Sequence, residues 1–473
     1  MQMSFAALAA ASSLALTACG QPGPSGGSAA DSSVQRFAVT LQGEDIGYMQ
    51  IEVSREGPDT TRVTEETVWD LVLMGTSRHV VMDLDATADT TLDLRRLDFH
   101  LTDGTSEISS STVRDGQNLV TTIHSAGRDI ATSSAVEGGF LPAVADLACA
   151  RLSWEDGQVR RFPSFDPATG TVSEAVVTSL GEEPSDLLGD TVQATHLRLA
   201  LMGTTTDIWV WNGQIVRELD GGLSMEMTRV PPGQGGDVTS TRDLYQVFAV
   251  SSTPVSDPRR PGTRRFELGG DIDWSAFQLD YPPVQSAEGN VVTVTTGVPS
   301  DIQPFPPVVP DSSFQRWLAL EPMVQSDDPL IVKAADSVTA GSADSWDAAC
   351  AICRFVDVAV ENTPTVSLPS SVEVLQSRRG DCNEHTVLFV ALARAVGLPA
   401  RMCAGIVYLD GAFGYHAWPL VWVGQWVPMD PTFGQLVADP THVILAEGDL
   451  ESQYVITSVM GRLRVTELPV QTE

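Results

Sequence analysis

From residue 34 to about residue 250, apolar and polar positions alternate with a period of two. Phe37, Val39 and Leu41 are spaced by Ala38 and Thr40. Met49, Ile51 and Val53 are spaced by Gln50 and Glu52, and Leu197, Leu199 and Leu201 by Arg198 and Ala200. Successive side chains of a strand point to opposite faces, so this pattern predicts antiparallel sheet with one apolar face. Turn dipeptides recur at Asp103-Gly104, Asp115-Gly116, Asp156-Gly157 and Asn212-Gly213. The last separates Ile208-Trp209-Val210-Trp211 from Gln214-Ile215-Val216 and predicts a type I′ hairpin. A short helix is expected around residues 143–150. The whole stretch reads as one large curved antiparallel sheet or half-barrel. Its histidines, His79, His100, His124 and His196, are scattered singly without metal-ligand spacing and are read as structural.

The pattern changes at residue 251. Pro254, Pro258, Pro261, Pro282 and Pro283 punctuate the chain, and the run from Pro304 to Pro310 marks the cleanest boundary. Residues 251–311 are therefore expected to form a connector with short strands, and residues 312–473 a further domain. Helical spacing appears there. Phe314, Trp317, Leu318 and Leu320 share a face, Asp328-Pro329 suits a helix start, and Trp346, Cys350, Cys353 and Val356 form a stripe. Ser370 and Glu373 predict a capping box.

The segment Arg379-Gly380-Asp381-Cys382-Asn383-Glu384-His385-Thr386 carries the candidate chemistry. An apolar helix follows and stops at Gly397-Leu398-Pro399. Asp381 and Glu384 suit the N-cap and N3 positions, which puts Cys382 in the first turn. Unpaired backbone N–H groups and the positive end of the helix dipole favour an anion there, and the thiolate is the nucleophilic form of cysteine. A thiolate nucleophile needs a histidine and a group that orients it. Residues 401–409, 415–423 and 426–432 read as three strands, the last two joined at Gly424-Gln425. Antiparallel pairing across that turn brings His416, eight positions before Gly424, near Asp430, five after Gln425.

The motifs Gly-Asp-Cys-Asn-Glu-His-Thr, Tyr-His-Ala-Trp and Trp-Val-Pro-Met-Asp-Pro-Thr, in this order and with 14 residues from His416 to Asp430, resemble the core of the transglutaminase-like superfamily. The resemblance covers residues 314–450. It implies an α+β chain: the N-terminal sheet or half-barrel, then a papain-like core whose cysteine-bearing helix packs on an antiparallel sheet. It implies a triad of Cys382 as nucleophile, His416 as base and acid, and Asp430 as orienter. The Cys382 backbone N–H would serve the oxyanion, with Gln376 a possible second donor. Pro419 departs from the polar residue expected after His-Ala-Trp and suggests an edge strand or bulge. His385 is read as structural or capping, Cys350, Cys353 and Cys403 as core thiols, and His442 as incidental. Trp418, Trp422 and Trp426 belong either to the substrate cleft or to the core.

The N-terminus adds a location. Residues 5–18 are apolar but too few to span a membrane, and end in Leu16-Thr17-Ala18-Cys19, which resembles a bacterial lipobox. By that resemblance residues 1–19 are a signal peptide and Cys19 is lipidated. Residues 20–33, rich in Gly, Pro and Ser, are a flexible tether. No Lys or Arg precedes Phe5, unlike a usual signal peptide. Gly20 favours the outer membrane facing the periplasm.

Net charge excludes one partner class. Acidic residues number 61 against 28 basic ones, a net charge of -33, and Lys333 is the only lysine. Phosphate backbones need clustered cations, so neither nucleic acid nor anionic lipid is an expected partner. The membrane enters only through the lipid anchor. No cofactor or metal is implied, since no phosphate-binding loop, His/Cys cluster or EF-hand loop is present. The expected activity is attack on an amide or peptide bond of a protein or peptide through a thioester acyl-enzyme, resolved by water or by an amine. The alternatives are a non-catalytic tethered binding or assembly protein, and a β-rich half that feeds lipid or lipoprotein to the enzyme.

Overall fold

The structure, a computed structural model, describes residues 32–470 apart from 74, 90–92, 105–106, 126–127, 137–148, 151, 202–203, 223, 237, 239–242, 244–246, 322, 364–369 and 449–453. The signal segment, Cys19, the tether up to residue 31 and most of the helix expected at 143–150 lie outside the described residues. Contacts divide the chain into two units, one ending at residue 244 and the other beginning at residue 245.

The first unit is built on fourteen strands. They are β1 (Ser32–Leu41), β2 (Glu44–Gly57), β3 (Thr60–Leu73), β4 (Thr76–Ala88), β5 (Leu94–Thr102), β6 (Glu107–Asp115), β7 (Asn118–Ser125) and β8 (Arg128–Ala135). Then come β9 (Val159–Asp166), β10 (Thr171–Leu187), β11 (Asp190–Leu201), β12 (Thr204–Trp211), β13 (Gln214–Asp220) and β14 (Met225–Val230). All fourteen join one sheet in the order β8 through β1, then β14 back to β9. It is two meanders joined where β1 pairs antiparallel with β14. The expected hairpin forms between β12 and β13, with both Asn212 (φ 48°) and Gly213 (φ 74°) left-handed, as a type I′ turn requires.

The alternation does what it predicts. Phe37, Val39, Met49, Ile51, Val53, Leu197 and Leu199 are buried while their neighbours face outward. Each such side chain contributes about 1.5–3 kcal/mol when fully removed from water. The sheet also curves. The turn after β9 reaches back to the other meander, where Ser134 Oγ donates to the Gly170 carbonyl (2.8 Å) and Ser110 Oγ to that of Pro167 (2.6 Å). The four histidines of this unit each lie beside a carboxylate: His79 by Asp70, His100 by Asp83, His124 by Asp129 and His196 by Asp207.

The second unit begins with β15 (Ser251–Ser252), β16 (Gly262–Gly269), β17 (Gln285–Glu288) and β18 (Val291–Thr296). Next come helices α1 (Pro329–Thr339) and α2 (Ser345–Ala359), β19 (Glu361–Asn362), helix α3 (Ser371–Ser377), β20 (Arg379–Gly380) and helix α4 (Cys382–Ala395). The unit continues with β21 (Ala400–Leu409), β22 (Ala412–Trp422), β23 (Trp426–Pro428), β24 (Val443–Glu447) and β25 (Arg464–Leu468). Strands β15 to β18 lie in the stretch read as a connector, and with β25 they make a five-stranded sheet in the order β15-β25-β16-β18-β17. Strands β21 to β24 make a second sheet in the order β23-β22-β21-β24.

Helix α4 is the centre of this unit. All residues from Cys382 to Arg394 are buried, because α1, α2 and α3 pack on it together with β21 and β22. A helix enclosed on every side has no solvent-facing polar side, which is why its run from Val387 to Ala393 is apolar all round. Near its C-terminal end the buried Arg394 is satisfied by Glu321 (2.6 Å) and by the carbonyls of Ala319 (2.8 Å) and Ala400 (2.9 Å). Helix α1 starts as predicted, with Asp328 accepting from Leu330 N (2.7 Å) ahead of Pro329. Helix α3 does not: Ser370 stands at its N-cap, but its hydroxyl donates to Gln325 Oε1 (2.6 Å) instead of closing a capping box.

Pro419 falls on β22, an inner strand, and not at an edge or bulge; its register with Met402 of β21 is regular. The Pro419 carbonyl accepts from Met429 N (3.0 Å), so the missing N–H faces the same side, just where short β23 has ended at Pro428. The lost donor thus falls beyond the ladder. Among the described residues no helix is long and apolar enough to cross a membrane.

Gly405 of β21 lies opposite His416 of β22, and a Cβ there would stand 2.0 Å from the Val443 carbonyl oxygen of β24. Backbone on a paired strand cannot yield, so Gly405→Ala should lower stability by about 2–4 kcal/mol. Gly57→Ala, where nothing lies within 4 Å, should melt close to the parent protein. Thermal melts of both proteins check this; equal losses would contradict it.

Candidate active site

Strand β20 delivers the chain into α4. Gly380 is required there, since a Cβ would lie 2.2 Å from Glu384 Cβ. Asp381 caps the helix, its side chain accepting from Asn383 N (2.8 Å), while Glu384 accepts from Asp381 N (2.8 Å). This is the capping box expected from the sequence, and it fixes Cys382 as the first helical residue. Burial, with the Glu384 carboxylate beside it, pushes the Asp381 carboxyl well above the usual range. His385 Nδ1 meets the Asp381 carbonyl (2.6 Å), so it is tied to the cap as expected.

His416 lies on β22, against which α4 packs. Asp430 follows β23 at the mouth of a tight turn closed by its own bridge to Gln435. The hairpin brings them together, although Trp422 pairs with Trp426 and the loop is therefore the three residues Val423, Gly424 and Gln425 instead of the two expected. His416 Nε2 lies 2.9 Å from Asp430 Oδ2, and both side chains are fully buried. Asp430 Oδ1 accepts from Thr432 N (2.9 Å) and Phe433 N (3.2 Å).

A fourth donor was not foreseen. His442, read from the sequence as incidental, places Nε2 3.0 Å from Asp430 Oδ2, the oxygen that His416 also meets. Its Nδ1 lies 3.0 Å from the Asp439 carbonyl and 3.5 Å from Asp439 Oδ1. No local motif flags it; it follows Asp430 by 12 residues, after a turn. Asp439-Pro440-Thr441 is the one usable signal, because Asp439 Oδ1 accepts from Thr441 N (2.9 Å) and so turns the chain back towards Asp430.

The electrostatics follow from burial and these partners. Burial lowers His416 to about 4, against the pull of Asp430. Burial alone would raise Asp430, but the two imidazoles outweigh it and hold the carboxyl far below its usual range. Burial also disfavours the charged form of His442, yet Asp430 and Asp439 outweigh it and raise the imidazole to about 9. At pH 7, then, Asp430 is ionised, His442 is doubly protonated and His416 is neutral. A neutral His416 facing a carboxylate carries its proton on Nε2. Its Nδ1 is left as a buried lone pair without a hydrogen-bond partner.

Aromatic rings fix the imidazole plane. Phe433 stacks on His416 (4.7 Å, 11°) and Trp418 lies 5.9 Å away at 22°. Trp418 is fully buried and also meets His442 edge-on (5.0 Å, 84°). Trp418 shares one core cluster with Trp426, against which Trp422, Phe314 and Trp317 pack, and the Arg401 guanidinium lies over the Trp426 ring. Gln376 is exposed on α3 and, among the described residues, makes no hydrogen bond with the buried trio. Cys149, Cys350, Cys353, Cys382 and Cys403 are all buried. Burial pushes Cys350 up to about 11 and Cys403 to about 12, as expected of core thiols.

Among the described residues, His416, Asp430 and His442 form one group whose ligand-type atoms lie within 4.8 Å of one another. The separations of 2.9 and 3.0 Å are those of hydrogen bonds, and the second oxygen of Asp430 is taken by backbone N–H groups. Hydrogen bonding accounts for the whole arrangement.

Comparison with known proteins places this geometry. Uncharacterized proteins of Mycobacterium tuberculosis and Mycobacterium bovis are 34% identical over 91 residues, 16% of this chain. The match spans 29% of the length of those relatives. A candidate cysteine protease from Cytophaga hutchinsonii shares 19% identity with a TM-score of 0.33, over 48% of this chain and 88% of that one. A β-barrel-like protein, of a domain of unknown function, from Brucella abortus shares 14% identity with a TM-score of 0.31, over 44% of this chain and 98% of that one. Residues 332–431, which contain α4, β22, Cys382, His416 and Asp430, match the model of the transglutaminase-like superfamily, so this part of the chain is a domain of that superfamily.

Proposed function

We propose that this domain is a cysteine enzyme that cleaves amide or peptide bonds through a thioester. The observation that carries the reading is the state of His416. Its Nε2 is fixed by Asp430, its Nδ1 lone pair is buried without a partner, and its strand is packed against the helix that begins at Cys382. Nδ1 would take the thiol proton as Cys382 Sγ bonds to the amide carbonyl carbon. The C–N bond then breaks and the same proton passes to the leaving nitrogen. A water, deprotonated by Nδ1, attacks the thioester, the C–S bond breaks, and the proton returns to sulfur. An amine in place of water gives acyl transfer. The Cys382 backbone N–H, at the helix start, would stabilise the oxyanion. Asp430 holds the tautomer that keeps Nδ1 basic.

The non-catalytic binding-protein reading is favoured by one observation, the burial of all three side chains. Alkylation of the protein with iodoacetamide across pH, read by peptide mass spectrometry, separates the two. Catalysis requires Cys382 to react at pH 6 roughly ten-fold or more faster than Cys149 or Cys403, and His416→Ala to abolish the difference. Equal rates would favour binding. On a cleavable peptide or amide, Asp430→Asn should lower kcat by about 10²- to 10⁴-fold with the fold intact. An unchanged rate would remove Asp430 from the mechanism. Incorporation of a labelled primary amine, against release of free acid, distinguishes transfer from hydrolysis.

The lipobox resemblance supports a lipid anchor at Cys19 and a place in the cell envelope, at the outer membrane facing the periplasm. Cys19→Ser should move the protein from the membrane fraction to the soluble one. An unchanged distribution would count against the anchor.

A further inference from the structure

His442 lies outside the three residues proposed to carry the chemistry, yet it is buried beside two of them, Asp430 and His416. It meets the Asp430 oxygen that His416 uses, and the two imidazole rings stand 5.8 Å apart at 62°. Behind it, Asp439 is held by Thr441, by Gln435 Nε2 (3.0 Å) and by an ion pair with Arg259, whose guanidinium also lies over Phe433 (5.3 Å). Phe433 in turn is the ring stacked on His416. The charges thus alternate from the partly exposed guanidinium of Arg259 through Asp439, His442 and Asp430, and the run ends on the neutral imidazole of His416.

We propose that His442 is a positioning residue: it holds the Asp430 carboxylate as the middle rung of this buried ladder, and its positive charge sets the pH range in which His416 can serve Cys382. The proposal rests on the reading of Cys382 and His416 as nucleophile and base. Its physical basis is competition for one oxygen. Asp430 favours the charged form of His416, and a second cation on the same carboxylate offsets that pull. Among the described residues, the titratable groups that face His442 are Asp430, Asp439 and His416, with Trp418 meeting its ring edge-on and Arg259 acting through Asp439. Both carboxylates hold the proton on His442 up to about pH 9, so the offset is present throughout the neutral range. Without it His416 would hold a proton to higher pH and would be a base only there.

The experiment is the pH profile of Cys382 alkylation in the full-length protein, with two substitutions. His442→Gln keeps an N–H donor near Asp430 but removes the charge. His442→Ala removes both. The Gln protein should react at nearly the parent rate on its plateau, with the midpoint of its acid limb moved up by about one pH unit, given a charge some 6 Å away in a protein interior. The Ala protein should lose about ten-fold or more of the plateau rate, because Asp430 is no longer held from both imidazoles. A Gln profile that superimposes on the parent, or a Gln protein as impaired as Ala, would overturn the proposal. Ring nitrogen shifts of His442, read by NMR in the unsubstituted protein, give a measure that no folding defect can mask. A doubly protonated ring at pH 7 is expected, and a neutral one would overturn the proposal. One zinc ion per chain, retained through purification, would also overturn it, since metal would then replace the shared protons. Failure of the underlying reading looks different: Cys382 of the parent would alkylate like an ordinary thiol and His416→Ala would change nothing.

Discussion

The second unit is organised around one buried carboxylate. Asp430 receives two imidazole nitrogens on Oδ2 and two backbone N–H groups on Oδ1. An ionised carboxylate out of water is tolerated only when its lone pairs are filled by charge-bearing or well-aimed donors. The four donors come from three places: β22, the turn after β23, and the segment that leads into β24. Filling the carboxylate therefore also fixes where those pieces of chain meet. The capping box at Asp381 does the same on the other side of the site, since its reciprocal bonds with Glu384 determine which residue opens α4.

Between these two anchors the side chains differ in protonation for a physical reason. His416 and His442 are both buried and both touch Asp430, yet burial wins at one and charge wins at the other. The difference is Asp439. One carboxylate shared between two imidazoles cannot hold a proton on each, and the second carboxylate decides which ring is charged. The uncharged ring is the one on the strand that α4 covers.

Much of this was legible in local sequence. Alternation named the sheet of the first unit because it has one buried face, and Asn212-Gly213 named its hairpin because both positions need left-handed backbone. The positions of Cys382, His416 and Asp430 relative to their elements could be read because a helix cap and a short hairpin loop fix geometry within a few residues. What depended on distant pairing was hidden. Strands β15 and β16 read as part of a connector because their partner β25 lies some 200 residues on, as Arg264 paired with Glu467 illustrates (203 residues apart). Pro419 looked like an edge residue because the length of β23 is not written beside it. Ser370 has the residue type of a capping box, but Gln325, 45 residues earlier, takes its hydroxyl. His442 carried no signal because its role comes from a turn that returns the chain to Asp430.

The sheet that joins β15 and β16 to β25 has a consequence for how the protein is made. Strand β16 must lie beside Arg464–Leu468 before its inner edge is covered, and every helix of the unit is synthesised between the two. Contacts of such separation slow folding, because the intervening loop must close before the pairing contributes anything. A chain emerging from a ribosome or a membrane pore could form α4 and the β21–β24 sheet early, yet would still carry β16 with an open edge. The unit is completed only by one of its last strands, so Cys382 and its helix could be in place well before the domain that holds them is closed.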